Sequence, residues 1–449
     1  MRKQLISLLA AAAVAATPLL PLPEARADDT PSLVRDAEIE TTIRAYATPI
    51  FTAAGLDPQL IHVYLLQSDQ INAFVAGGMN LFIYTGLLIK TERPNQLVGV
   101  IAHETGHIAG GHLARFQEAL SNATTEMIIG MVLGAVATAA SRGAAGPAIL
   151  AGPGMAQASM LQYTRTMEAS ADAAALKFLD ATHQSARGLL EFFGILRKQE
   201  AILFGQLNPY LMNHPLTSDR IANVQQHVDQ SRYSNVPDPP AWIEAHKRMV
   251  AKLIGYLWPL DHVLQQYPPT DNSLYARYAR SIAYYRVGQL QNALPPIDSL
   301  IAEHPKDPYF LEQKGQILYE SGRGGEALGY YQKAVDLAPD EPLIRMGLAQ
   351  VQIEQNDPKL VRPAIENMKQ VVQAEPRNPA AWRMLGIAYG RDGQMGQTAL
   401  ALAESAADAG RTEEARRQAN QALGQLPEGS PGWLRAQDIL TTTRPTPQN

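Results

Sequence analysis

The sequence predicts a mostly helical α+β domain, with a small sheet that borders a cleft, followed by an all-α array of repeated helix pairs. Helix and strand signals alternate from about Leu33 to Val228, and the sequence becomes helical and repetitive from Leu274. A connector interrupted by prolines lies between the two and contains one short amphipathic helix, Trp242 to Leu257. The length of 449 residues also favours about three units.

The predicted boundaries follow these changes in pattern. Residues 1–27 form a signal peptide, 28–235 the α+β domain, 236–273 the helical connector, 274–442 the repeat array and 443–449 a disordered tail. The signal peptide has a basic start, an apolar stretch from Leu5 to Leu20 and a small-x-small cleavage site at Ala25 to Ala27. Because such a signal directs export, we expect the protein in the periplasm.

Composition excludes several classes of function. The formal net charge is −5, without a run of like charges, so no electrostatic footprint for nucleic acid is present. The chain contains no cysteine, which excludes disulfides, a thiolate nucleophile and a Cys-ligated metal. Any metal ion must therefore be held by histidines and carboxylates.

The repeat array has a fixed period. Small residues and prolines recur 34 residues apart, at Gly288, Ala293 and Pro305 and again at Gly322, Ala327 and Pro339. This is the period of the tetratricopeptide repeat, and Trp382, Leu385, Gly386 and Tyr389 fit its W-x2-L-G-x2-Y signature. The spacing continues at Ala364 and Pro376, after a three-residue insertion around Asn356 to Leu360, and at Gly410, Ala415 and Pro427. Such an array binds a partner without revealing which one.

An apolar helical run from Leu97 to His107 carries the motif H-E-x-x-H. His103 and His107 lie four residues apart, so both imidazoles face the same side of a helix and can bind one Zn²⁺ ion. Glu104 is rotated by roughly 100° around the helix axis. Its carboxylate then lies beside the metal and can accept a proton from the attacking water.

A third ligand has two candidates in the sequence. The metzincin extension fails, because Leu113 occupies the position of its last histidine and His112 comes one residue early. Glu168 and Asp172 instead lie four apart on one face of an Ala-rich helix that can pack closely on the first. We predict that Glu168 is the third ligand and that Asp172 accepts the other N–H of a ligand histidine.

Two further segments of this domain are informative. Asn72 to Ala76, Gly77-Gly78 and Asn80 to Tyr84 predict a strand, a turn and a strand. Met127 to Ala140 is very apolar, but its length of about 21 Å is short of the roughly 30 Å of a membrane core. We expect residues 127–154 to form a hairpin beside the cleft that touches membrane or substrate, or else a buried core helix.

Three motifs in this order resemble the gluzincin metallopeptidases related to the CAAX prenyl protease. They are His103 to His107, the block from Tyr163 to Asp172, and His214 to Ile221. The resemblance implies one Zn²⁺ per chain held by His103, His107 and Glu168, with Glu104 as general base. It also implies that the sheet strand beside the cleft pairs with an extended substrate. Ser170 replaces a second acidic residue common in the family, which leaves that position without an implied role.

The resemblance also implies a biological role. It predicts an endopeptidase that degrades unfolded or misassembled outer-membrane proteins and, through its repeats, associates with the outer-membrane barrel assembly machinery. The alternative is a repeat-based chaperone or scaffold with a vestigial metal site. That alternative requires a missing ligand, and the three motifs lack none.

In this family the His and Arg of the third motif, here His214 and Arg220, lie near the developing oxyanion. His214 sits on a segment whose prolines and asparagines indicate a loop, so it can instead occupy the fourth position of the metal and hold the enzyme inactive. A third interpretation is that His214 only caps the following helix. We favour the latch.

Overall fold

The computed structural model describes residues 32–112, 153–202, 210–211 and 214–443. Within these residues, the α+β region contains strands β1 (Ser32–Val34), β2 (His62–Gln67), β3 (Ala73–Ala76) and β4 (Asn80–Tyr84), and helices α1 (Ala37–Ala53), α2 (Thr85–Lys90), α3 (Pro94–Ala109), α4 (Pro153–Ala181), α5 (Arg187–Ile202) and α6 (Ser218–Gln230). Helices α7 (Pro240–Leu257) and α8 (Leu260–Gln266) follow. The predicted signal peptide and nearly all of the segment 127–154 lie outside the described residues.

The remaining described residues form an entirely helical array. Its helices are α9 (Leu274–Arg286), α10 (Leu290–Glu303), α11 (Pro308–Glu320), α12 (Gly324–Leu337), α13 (Pro342–Glu354), α14 (Pro358–Ala374), α15 (Pro379–Arg391), α16 (Met395–Asp408), α17 (Thr412–Leu423) and α18 (Pro431–Thr442). The predicted fold class, a mostly helical α+β domain followed by a helical repeat array, is confirmed.

The sheet has the order β1-β2-β4-β3. Strand β3 pairs antiparallel with β4, with Ala73 opposite Ile83, and the turn between them uses Gly77 and Gly78 at positive φ. The predicted strand-turn-strand is therefore confirmed. Strand β2, which the sequence did not indicate, runs parallel to β4 on its other side. Strand β3 thus lies at an edge of the described sheet, and it packs against α3.

Helix α3 is the centre of the α+β region. Every residue from Pro94 to His107 is buried, as expected for a helix that is apolar on all sides. Neighbouring helices approach it closely at two glycines. A Cβ on Gly99 would lie 2.8 Å from the Cβ of Leu189 on α5, and a Cβ on Gly106 would lie 2.6 Å from the backbone oxygen of Ala171 on α4. The predicted close packing of the Ala-rich helix on α3 depends on Gly106.

The turns between array helices explain the repeated glycines. Gly288, Gly322, Gly393 and Gly410 all have φ between 69° and 78°, a region that favours glycine. Asn356 occupies the equivalent turn between α13 and α14 with φ of 54°, a conformation that asparagine tolerates better than most residues. The predicted three-residue insertion lengthens α14 to 17 residues, compared with 14 in α10, α12 and α16.

The last glycine turn departs from the predicted pairing of helices. Gly393 joins α15 to α16, and Gly410 joins α16 to α17, so only one helix separates them instead of a pair. Helix α16 packs against both neighbours. The final Gly-Ala-Pro triplet is therefore shifted by one helix relative to the earlier repeats. Sequence spacing within the triplet could not reveal this shift.

Buried charges join α1 to the helices that follow the α+β region. Glu38 is 3% exposed and accepts a hydrogen bond from the Tyr278 hydroxyl at 2.8 Å. It also pairs with Arg248 at 2.7 Å, while the buried Lys252 pairs with Asp36 at 2.7 Å. Because a buried charge is costly unless it is paired, these contacts fix α1 against α7 and α9.

We predict that Gly106→Ala destabilises the fold by about 1–3 kcal/mol, because the added methyl group meets the backbone of α4. Gly194→Ala on α5 is the matched control: no atom lies within 4 Å of a Cβ there, so it should stabilise the protein by about 0.4–1 kcal/mol. Urea denaturation with a chelator present measures both without a contribution from metal binding. Equal effects of the two substitutions would contradict the close approach of α3 and α4.

Candidate metal centre

The two histidines of the H-E-x-x-H motif converge on one point beside α3. His103 is fully buried and His107 is 8% exposed, and their Nε2 atoms lie 3.1 Å apart. Side chains four residues apart on a helix lie one above the other, which brings the two rings together. Their ring centroids are 4.8 Å apart.

Helix α4 brings two carboxylates to these histidines. Glu168 Oε2 lies 3.3 Å from His103 Nε2, and Glu168 Oε1 lies 3.2 Å from His107 Nε2. Asp172 Oδ1 lies 2.8 Å from the other ring nitrogen of His103, Nδ1. A carboxylate accepts but does not donate, so Asp172 keeps a hydrogen of His103 on Nδ1, and the Nε2 lone pair would be the one that binds a metal ion.

A third histidine, His214, completes the cluster. Its Nδ1 lies 3.1 Å from Glu168 Oε1 and 3.3 Å from His103 Nε2. Ligand atoms arranged tetrahedrally at 2.0–2.1 Å around Zn²⁺ are about 3.3 Å apart. The donor atoms of His103, His107, Glu168 and His214 lie within 4.8 Å of one another, and all four residues are buried. These residues therefore fit a tetrahedrally coordinated metal ion.

The surroundings of His214 exclude a capping role. The side chain that caps α6 is Thr217, whose hydroxyl accepts a hydrogen bond from the Arg220 backbone N–H. Tyr210 and Leu211 form part of a helical turn in the segment predicted as loop, and the Tyr210 carbonyl accepts the His214 N–H at 2.7 Å. The Tyr210 ring also packs on the imidazole of His214, with centroids 4.7 Å apart. His214 therefore faces the donor atoms of His103 and Glu168 instead of the helix end.

Arg220 holds the two carboxylates of α4. Its Nε donates to Asp172 Oδ2 at 2.6 Å and its Nη2 to Asp172 Oδ1 at 2.9 Å. Its Nη1 lies 2.7 Å from Glu168 Oε2 and also donates to the Pro215 carbonyl at 2.9 Å. The guanidinium is 4% exposed. In this structure Arg220 therefore holds the carboxylates of Glu168 and Asp172 in position and does not itself hydrogen-bond to the histidines of the motif.

Burial and charge set the protonation states in the site. Burial raises the pKa of Glu104, which suits a carboxylate that has to accept a proton. Burial lowers the pKa of His107 to about 3, so its imidazole is neutral, the form that binds a metal. Burial favours a higher pKa for Glu168, but its close contacts with His103, His107 and His214 outweigh it and hold the pKa well below its usual range. Glu168 is therefore ionised.

Glu104 is buried beside the cluster. Its side chain is 0% exposed, and neither carboxylate oxygen has a hydrogen-bond partner among the described residues. Oε1 lies 3.4 Å from His214 Nε2, without the alignment of a hydrogen bond. Two unpaired buried oxygens are costly in a folded protein, and such groups cluster at functional sites. The structure thus places Glu104 beside the four donor residues, without a hydrogen bond to its carboxylate oxygens from the described part of the chain.

One residue of the site escaped the sequence analysis. His112 is 4% exposed, and its Nδ1 lies 3.0 Å from His107 Nδ1, the ring nitrogen that faces away from the cluster. The sequence analysis considered His112 only as a ligand on a continuing helix, but α3 ends at Ala109. The glycine pair before His112 is the signal that the helix stops there.

Two other expectations concern residues around the site. Ser170 replaces an acidic residue that is common in the gluzincin metallopeptidases. It is exposed on α4 and is not part of the buried cluster of donor residues. Among the residues that the structure describes, no helix is long and apolar enough to cross a membrane.

The fold and the site define a metallopeptidase. Residues 34–228 match the model of peptidase family M48, and residues 278–342 match that of a tetratricopeptide repeat. The first part of the chain is therefore similar to the M48 peptidases, and a later part is similar to tetratricopeptide repeats.

Relatives of similar length support the resemblance. The chain is 26% identical to the beta-barrel assembly-enhancing protease of Yersinia pestis, over 79% of this chain and 73% of the relative. It is 24% identical to the protein of that name from Escherichia coli strain K12, over 89% and 81%. Among solved structures, MamA residues 41 to the end from Desulfovibrio magneticus RS-1 covers 38% of this chain and 92% of its own, at 19% identity and a TM-score of 0.30.

We predict that His103→Ala, His107→Ala and Glu168→Ala each lower the metal content of the purified protein, because each removes a ligand of the cluster. Ser170→Ala, an exposed position two residues beyond Glu168, is the matched control and should retain the metal of the wild type. Elemental analysis after dialysis gives the stoichiometry. Full retention in Glu168→Ala would move the third ligand to another residue.

Proposed function

We propose that the chain is a periplasmic zinc endopeptidase that degrades unfolded or misassembled outer-membrane proteins and assists their assembly through its repeats. The observation that carries this proposal is the buried cluster of His103, His107, Glu168 and His214, with Glu104 beside it. The relatives named beta-barrel assembly-enhancing protease support the choice of substrates. The complete donor set favours catalysis over a scaffold with a vestigial site.

Zinc is the metal that the donor set favours. Two histidines and one glutamate are the protein ligands of several catalytic zinc sites, which keep a further position open. His103, His107 and Glu168 would hold the ion. A Zn²⁺ ion bound there supplies Lewis acidity, which polarises a peptide carbonyl and favours deprotonation of water.

Glu104 moves the proton in the proposed reaction. Its raised pKa makes it a stronger base than an ordinary glutamate, and its oxygens have no competing hydrogen bonds among the described residues. It accepts the proton of the attacking water and passes it to the amine that leaves when the peptide bond breaks. The carboxylate then returns to its starting charge.

Strand β3 is the proposed docking edge for the substrate backbone. It lies at the edge of the described sheet and packs against α3, which bears the motif. A peptide that adds to an edge strand gains main-chain hydrogen bonds that do not depend on its side chains. This mode of binding suits an enzyme that acts on unfolded chains of many sequences.

His214 is proposed to act as a latch. Its Nδ1 lies within 3.3 Å of both His103 Nε2 and Glu168 Oε1, which supports assigning it to the remaining ligand position of the proposed site. The water and the substrate carbonyl need this position, and the segment that carries His214 has to move before they can enter. Once displaced, its N–H can stabilise the oxyanion, which is the second proposed role.

The repeats are proposed to bind the outer-membrane barrel assembly machinery. Tetratricopeptide arrays present extended surfaces to protein partners, and the relatives are named for barrel assembly. Membrane contact through residues 127–154 remains part of the proposal, although nearly all of that segment lies outside the described residues.

We predict that Glu104→Gln abolishes proteolysis of an unfolded barrel protein while the metal content stays at the wild-type level. Glutamine keeps the shape of the side chain but cannot accept the proton. The metal should stay bound because residue 104 is not one of the proposed metal ligands. Gel-based digestion and elemental analysis of the same preparation give the two quantities. Appreciable turnover by Glu104→Gln would remove Glu104 as the general base.

We predict that His214→Ala raises the basal rate of cleavage of unfolded clients, since it frees the remaining ligand position. His262→Ala, which removes an exposed histidine from α8, is the control and should cleave at the wild-type rate. If His214 served only the oxyanion, the substitution would instead lower the rate by roughly 10²–10³-fold. Depressed activity with full metal content would therefore contradict the latch.

A further inference from the structure

His112 is a buried histidine that the proposed mechanism does not use. Its ring meets that of His107 nearly at a right angle, with an interplanar angle of 80° and centroids 5.0 Å apart. Its Nδ1 lies 3.0 Å from His107 Nδ1, within hydrogen-bonding distance. His107 Nε2 faces Glu168 and His103, so the contact with His112 uses the ring nitrogen on the opposite side.

Two glycines allow this contact. Gly110 caps α3, and Gly111 has a φ of 61°, the left-handed conformation that reverses the chain after the helix. A Cβ on Gly110 would lie 2.5 Å from His112 Nε2. Residue 110 must therefore lack a side chain if the imidazole of His112 is to fold back onto His107.

We propose that His112 is a positioning residue that fixes the tautomer and the orientation of His107. For Nε2 of His107 to offer its lone pair to a metal, the ring must carry its hydrogen on Nδ1. His112 Nδ1 accepts that hydrogen bond and carries its own hydrogen on Nε2. The proposal rests on the proposed function only in requiring that a metal ion binds at this site.

The same arrangement holds the other histidine. Asp172 accepts from His103 Nδ1 at 2.8 Å, so each histidine of the motif has its own acceptor behind the ring. The two acceptors differ, because Asp172 is an ionised carboxylate paired with Arg220 and His112 is an imidazole. An imidazole orients His107 without adding a charge to the buried site. Loss of such a partner weakens metal binding by 10–100-fold in other proteins.

The test compares two substitutions of similar size in the full-length protein. His112→Asn keeps an acceptor, since its Oδ1 can take the place of Nδ1, whereas His112→Leu has none. Competition with a chromophoric chelator measures the dissociation constant for Zn²⁺. We expect His112→Leu to raise it by about 10–100-fold and His112→Asn to stay within about threefold of the wild type. Unchanged affinity in His112→Leu, or equal losses in both variants, would overturn the proposal.

A second variant keeps the test decisive if His112→Leu does not fold. Gly110→Ala leaves both imidazoles in place but displaces the ring of His112, and it should also weaken Zn²⁺ binding at least tenfold. Wild-type affinity in Gly110→Ala would count against the proposal. Failure of the proposed function looks different, because then the wild type itself would bind no Zn²⁺, whereas a tight wild-type site unaffected by these variants would reject only the role of His112.

Discussion

The site depends on the pairing of Arg220 with two carboxylates that α4 places one helical turn apart. Glu168 and Asp172 are 2% and 3% exposed, and two buried negative charges at this spacing repel each other strongly. The guanidinium of Arg220 contacts both at 2.6 to 2.9 Å. Removing one partner of a buried pair typically costs about 3–5 kcal/mol, so this contact sets where the carboxylates lie.

The positions of the other site residues follow from that pairing. Asp172, held by Arg220, in turn holds the ring of His103. Glu168, held by the same guanidinium, contacts His103, His107 and His214. Arg220 is the third residue of α6, directly after the segment that bears His214. The Arg220 side chain therefore contacts Glu168, Asp172 and the carbonyl of Pro215, the residue that follows His214.

The array is tied to this centre through α1. Glu38 and Asp36 pair with Arg248 and Lys252 of α7, and α1 also packs against α3. Further contacts reach the array itself, where the Thr41 hydroxyl donates to Glu341 at 2.7 Å. A partner that binds the array must use surface that α1 leaves open or else break the contacts of α1 with the array, such as Thr41 with Glu341 and Glu38 with Tyr278. The proposed recruitment of the assembly machinery therefore favours the array surface away from α1.

Spacing patterns in the sequence were enough to predict several elements of the fold and part of the site. The H-E-x-x-H helix and the β3-β4 hairpin follow from patterns within a few residues, and the turn glycines follow from the 34-residue period of the repeats. Arg220 was recognised only through resemblance, since nothing near it indicates that it contacts Glu168 and Asp172. The position of His112 depends on where α3 ends, and the shift at Gly410 depends on how whole helices pair, so both required the three-dimensional structure.

The charge of the buried site explains why the two histidines have different partners. With neutral histidines bound to a metal ion, ionised Glu104, Glu168 and Asp172 would supply three negative charges, and Arg220 would supply one positive charge. The proposed Zn²⁺ ion, with two positive charges, would make the site neutral. A carboxylate behind His107, like the one behind His103, would leave a buried negative charge without a partner, whereas His112 can accept a hydrogen bond while remaining neutral. The need to orient a second ligand without adding charge therefore favours an imidazole at this position.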